Sequence, residues 1–141
     1  MPEVEFPKLN NTNHEITSNA DSRYNCIAWA YGEHKKWFWP MKRRYWPANI
    51  TYEETIEAFM QLFASIGYQS CDNPLFEPEY EKVAIYALDG IPTHAARQVD
   101  NGKWTSKLGE DVDIVHDNLE CLDGPLYGKT VIIMKRKRGV L

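Results

Sequence analysis

Residues 82–88, KVAIYAL, place apolar side chains on both alternating positions of one short run. A strand that offers neither face to water belongs inside a sheet covered on both sides. The chain must therefore supply two covering layers. Turn chemistry sets the succeeding elements: Asp89-Gly90 is a turn, THAARQV at 93–99 reads as the next strand, and Asn101-Gly102 gives a second turn signal close to the hairpin type. KWTSKL at 103–108 is then the third strand, DIVH at 113–116 a short element and KTVIIMKRK at 129–137 the last strand.

The segments before this meander read as helix and loop. Asp21 and Ser22 are N-cap candidates, and RYNCIAWAY runs from them to Gly32, a natural stop. Cys26 then falls in the first turn or two of a short helix, sharing a side with Ala30 and lying beside Ile27. HKKWFWPMKRRYWPAN at 34–49 holds Trp37, Phe38, Trp39, Tyr45 and Trp46, but Pro40 and Pro47 break any long helix, so this is a loop whose rings pack onto something. Thr51 and Glu54 fit a capping box, Ile56, Phe59, Met60, Phe63 and Ile66 repeat at helical spacing, and Gly67 is placed to end the helix. Residues 1–19 read as an irregular lead-in and 70–79 as a loop. Helices first and antiparallel strands after predict an α+β class, with one domain over 1–141 and a helix-covered sheet.

Composition excludes several classes. At 43% hydrophobic and 13% aromatic residues the chain is too apolar to stay disordered. Its apolar runs fall far short of the roughly 20 residues of a membrane span, and MPEVEFPKLNN lacks a basic segment followed by an apolar one. A soluble, cytoplasmic protein without a membrane partner is expected. The net charge of −4 argues against a nucleic-acid partner. The charge is uneven, with Lys35, Lys36, Lys42, Arg43 and Arg44 in one basic cluster and Lys129, Lys135, Arg136, Lys137 and Arg138 in another. Glu110, Asp111, Asp113, Asp117, Glu120 and Asp123 form an acidic stretch. Such runs read as solvated faces. Three cysteines, Cys26, Cys71 and Cys121, are an odd number in a chain that needs no staples, so at least one thiol is expected to be free.

Chemistry centres on Cys26. A thiol near a helix N-terminus feels the positive end of the macrodipole, which favours the thiolate; the same position also suits a small core residue. A nucleophilic thiol needs a base, and the base needs a third polar group to hold it. His94 opens a strand beside Thr93, Ala95 and Ala96, where small neighbours leave room for a cleft; His14 and His34 lie in less favourable surroundings. The holder is sought across the Asn101-Gly102 turn, where Ser106 and Trp104 point to one face and Thr105 and Lys107 to the other. Ser106, His116 and Asp113 are the alternatives. Cys26, His94, His116 and Asp113 lack the tight spacing of a metal motif, so neither metal nor cofactor is expected. Donors to an oxyanion are the Cys26 backbone N–H and the Asn25 or Asn19 side chain. Trp37, Trp39 and Trp46 make a substrate wall or, equally, seal the core edge with their basic neighbours in water.

Several blocks carry a resemblance: YNCIAWA at 24–30, KVAIYA at 82–87, PTHAARQ at 92–98 and WTSKLG at 104–109, followed by DIVH and LYG. Together they resemble an uncharacterised family of small bacterial proteins over roughly residues 15–138. More remotely, the chain is similar to the NlpC/P60 group of papain-like cysteine peptidases and amidases. In that group the Cys opens a helix packed on an antiparallel sheet, and a third polar residue lies about a dozen positions beyond the His. The matching residues are Cys26, His94 and Ser106, with Ser where the group has His, Asn or Gln. The resemblance implies a papain-like fold, and a cysteine hydrolase or acyltransferase acting on an amide or thioester in a small-molecule, peptide or protein substrate. The alternative is a non-catalytic binding or regulatory module of the immunity type.

Overall fold

Val83 and Ile85 of the central strand pack with Ile27, Phe59, Phe63 and Ala95, whereas Ala84 and Tyr86 pack with Phe6, Ala96, Trp104, Ile114 and Leu122. Both layers required by the KVAIYAL run are present. Lys82, at the start of that run, is fully buried, and its Nζ is satisfied by Glu77 Oε2 at 2.7 Å and by Asn73.

The structure is a computed structural model that describes residues 6–10, 12–21, 23–33, 35–108 and 112–138. Ser22, His34, Glu110 and Asp111 lie outside the described residues. In chain order the elements are β1 (His14–Ser18), α1 (Cys26–Tyr31), α2 (Ile56–Ala64), β2 (Gln69–Cys71), β3 (Tyr80–Leu88), β4 (Ile91–Gln98), β5 (Trp104–Lys107), β6 (Asp113–His116), a 3-10 turn (Leu119–Leu122) and β7 (Lys129–Lys137). The strands form one seven-stranded sheet in the order β1-β6-β5-β4-β3-β7-β2, with every neighbouring pair antiparallel.

The α+β expectation, and with it the papain-like (NlpC/P60-like) fold of a Cys-bearing helix packed on an antiparallel sheet, is therefore corrected. The protein is mainly β, with helices of only six and nine residues. Two segments read as lead-in and loop account for the difference. His14–Ser18 pairs with β6 and Gln69–Cys71 with β7, each as an edge strand. Both are largely exposed, so they carry no apolar alternation; their partners' backbone hydrogen bonds define them.

Both helices start later than the sequence suggests. Asp21 is occupied by Arg23, which it binds through the backbone N–H and the guanidinium. Asn25 is the actual N-cap of α1, and Gly32 ends the helix in the left-handed region at φ 103°. Thr51 binds Gln61 Oε1 with both its N–H and its hydroxyl, and it is Thr55 whose side chain accepts from Ala58 N to cap α2. The buried face of α2 is Ala58, Phe59, Leu62 and Phe63, while Ile56, Met60 and Ile66 are half-buried.

Candidate active site

The extended backbone of Asn25 aims its carboxamide back over α1. Its Oδ1 accepts from Ala28 N at 3.2 Å and Phe38 N at 3.1 Å, and its Nδ2 donates to Phe38 O at 2.7 Å. One buried side chain thus caps the helix and ties down the tryptophan-rich loop. The other oxyanion candidate, Asn19, is exposed.

Cys26 is the first residue of the helix. β4 and β5 pair only through Arg97–Thr105 and Gln98–Trp104, so earlier residues of β4 lack a ladder partner on that side. The Cys26 sulfur lies where the neighbour is missing. Its Sγ–H donates to Thr93 O at a long 4.0 Å, and the Ala95 N–H is directed at the sulfur. These two residues flank His94. Burial pushes the thiol up to about 11, against which the Ala95, Ile27 and Cys26 amides pull only partly. The resting group is a neutral thiol, contrary to the thiolate expected from the helix end.

His94 stands with Tyr86 and Tyr127, away from the helix-side core that holds Cys26. No hydrogen bond joins it to Cys26 among the described residues. What the structure does bring together is His94, Ser106 and His116. His94 Nε2 lies 2.9 Å from Ser106 Oγ, Ser106 Oγ lies 2.8 Å from His116 Nε2, and His116 Nδ1 lies 2.8 Å from Asn118 O. A carbonyl only accepts, which fixes every proton in the series. His116 carries its proton on Nδ1, so its Nε2 accepts from the Ser106 hydroxyl, and Ser106 in turn accepts from His94 Nε2–H. The remaining nitrogen, His94 Nδ1, presents a lone pair and has no hydrogen-bond partner among the described residues. Burial, reinforced by His116, holds His94 well below the ordinary histidine range, and burial lowers His116 to about 4. Both rings are neutral, as this tautomer series requires.

Asp113, the other candidate holder, is engaged elsewhere: it is buried and accepts from Tyr24 OH at 2.7 Å. Among the described residues no group of three or more His, Cys, Asp or Glu side chains is arranged to hold a metal. All three cysteines are free.

A pocket of about 380 Å³ opens beside the thiol. Cys26 and Asn25 line it from the helix, Trp37, Trp39, Met41 and Arg44 from the loop, and Thr93 and Tyr127 from the sheet side. Trp46 is not among them; its Nε1 donates to Thr51 O and its ring packs on Phe59. Sequence reasoning missed Tyr127, whose ring stacks on His94 at 4.1 Å between centroids and 11° between planes. A signal was present in the following Gly128. Its φ is +74°, and a Cβ there would sit 2.0 Å from Ala87 O, so the chain at this point requires glycine.

Fold and site together define a mainly β protein in which a thiol lines a pocket and a pre-oriented imidazole lies buried behind Tyr127, which lines the same pocket. The chain belongs to the family described as a domain of unknown function (DUF7689), whose model matches residues 15–135. No curated protein and no solved structure matches it.

Proposed function

We propose that the protein is a thiol-dependent hydrolase or acyltransferase acting on an amide or thioester, with Cys26 as nucleophile and His94 as base. The observation that carries this reading is the unpartnered Nδ1 of His94, a lone pair on a ring whose other nitrogen is fixed by Ser106 and His116. A buried acceptor left without a partner is costly, and sites of chemistry are where such a cost is kept. The thiol gives up its long contact to Thr93 O as a carbonyl group enters the pocket. At rest the two groups lie on opposite sides of the Thr93–Ala95 segment, so the step requires ligand entry to bring them within hydrogen-bond reach. Sulfur then attacks the carbonyl carbon, and the thiol proton passes to His94 Nδ1. Collapse of the tetrahedral adduct breaks the bond to the amine or thiol, which leaves with that proton. Water or an amine then attacks the acyl-sulfur bond, returning the free thiol. Ser106 and His116 act as positioning residues.

A second reading, a binding module without catalysis, draws on a different observation. The thiol rests against Thr93 O and is held protonated by burial. Alkylation kinetics separate the two. With iodoacetamide at pH 7, base-assisted Cys26 is expected to react faster than Cys71, which is more exposed, and than the buried Cys121. His94→Ala is expected to abolish that advantage. A Cys26 rate at or below that of Cys71 favours the binding module.

A further inference from the structure

The two basic clusters of the chain have different fates. In the second, Lys135 lies 3.8 Å from Glu77, Arg136 2.8 Å from Glu81 and Arg138 3.5 Å from Asp100, so three of its five cations are matched by carboxylates. The first cluster, Lys35, Lys36, Lys42, Arg43 and Arg44, makes no ion pair among the described residues, in a chain whose net charge is −4. Two of its five cations lie over rings instead. Lys36 Nζ lies 4.3 Å from the centre of Tyr45, and the Arg44 guanidinium lies 4.7 Å from the centre of Trp37.

Among the described residues Arg44 is the only charged side chain lining the Cys26 pocket, and no carboxylate lines it. Its position is built into the loop. Tyr45 N donates to Trp37 O, Trp39 N donates to Tyr45 O, and Arg43 takes the left-handed conformation at φ 69°, unusual for a non-glycine residue. The guanidinium lies over the Trp37 ring, and its N–H donors make no hydrogen bond among the described residues, an arrangement suited to a planar oxyanion. Trp39, Met41 and Tyr127 supply apolar wall around it.

From this we infer that the pocket takes a carboxylate-bearing ligand with a flat apolar body, its carboxylate on Arg44 and its body between the aromatic walls. As a statement about substrate this rests on the Cys26–His94 reading: the amide or thioester cleaved carries the carboxylate on a group that fits about 380 Å³. As a statement about binding it does not.

The test uses matched probes on the full chain. N-(4-carboxyphenyl)iodoacetamide and N-phenyliodoacetamide differ in the carboxylate alone. Their rate ratio at Cys26 is expected to exceed the ratio at Cys71 by about five-fold at low salt. That excess should shrink in 0.5 M NaCl, vanish in Arg44→Gln and survive in part in Arg44→Lys. In parallel, 4-acetamidobenzoate and acetanilide are titrated against tryptophan fluorescence, and the benzoate alone should bind with an Arg44-dependent affinity. Equal rate ratios at Cys26 and Cys71, or benzoate binding unchanged by Arg44→Gln, overturn the inference. If Cys26 shows no advantage toward the neutral probe while the benzoate binds through Arg44, the catalytic reading fails and the anion site stands.

Discussion

Ser106 has one hydrogen to give and gives it to His116, which obliges it to accept from His94. A single hydroxyl therefore decides which nitrogen of His94 is basic. Ser106→Ala leaves His94 Nε2–H and His116 Nε2 both buried without partners, at a cost of about 2–4 kcal/mol in unfolding free energy. It also releases the ring to the other tautomer. ¹⁵N NMR of the imidazoles is expected to report Nε2–H for His94 in the parent protein and a mixture in the variant; an Nδ1–H parent would remove the base. Part of this was legible. Twelve residues separate His94 from Ser106, and alternation put Ser106 on the face of Trp104, which is where it lies. The role of Asn118 was not legible, because a backbone carbonyl carries no side-chain signature. Nor was the high resting pKa of Cys26, since a six-residue helix end is outweighed by burial that only the packed sheet reveals.

Among the elements, α2 shows how far periodicity reaches. A repeat at 56, 59, 60, 63 and 66 fixes the existence of a helix, but a stripe one residue wide cannot say which flank meets the core. Packing turned the helix so that Leu62 is buried and Met60 only half so. Phe59 lies at the centre, wholly buried, with Trp39 edge-on at 5.1 Å and Trp46 at 5.2 Å. Phe59→Ala is expected to cost about 3–5 kcal/mol and Met60→Ala clearly less, read from urea midpoints at constant m. Similar losses for the two would place the face on the Met60 flank. Because Trp39 also lines the pocket, the Phe59 variant should weaken 4-acetamidobenzoate binding, and the Met60 variant should not. The edge strands carry the opposite lesson. β1 and β2 exist because β6 and β7 offer them unpaired backbone, so a reading based on apolar pattern passes over them.

For the whole molecule, two neutral imidazoles inside a sheet couple folding to pH. No helix among the described residues is long and apolar enough to cross a membrane. Both pKa values are depressed in the folded state, from an ordinary 6.5 to about 4 for His116 and in the same direction for His94. Between those limits the unfolded chain binds more protons than the native one. Stability is therefore full above pH 6.5 and falls as the pH drops toward 4. From pH 7.5 to 5 the His116 shift alone is worth about 2 kcal/mol, and His94 adds to it. Glu77 and Asp21 have lowered values starting from 4.5 and 3.8, so their contributions are lost at more acid pH, while Asp123, raised by burial, protonates first in the native state and opposes the drop as the pH falls. Urea unfolding at pH 7.5 and 5.0 should show the full drop in the parent protein and a smaller one in His116→Gln, which keeps a polar side chain beside Ser106 but cannot titrate. A flat profile in the parent would mean that the two rings are not buried as a neutral pair, and the tautomer that makes His94 Nδ1 a base would lose its support.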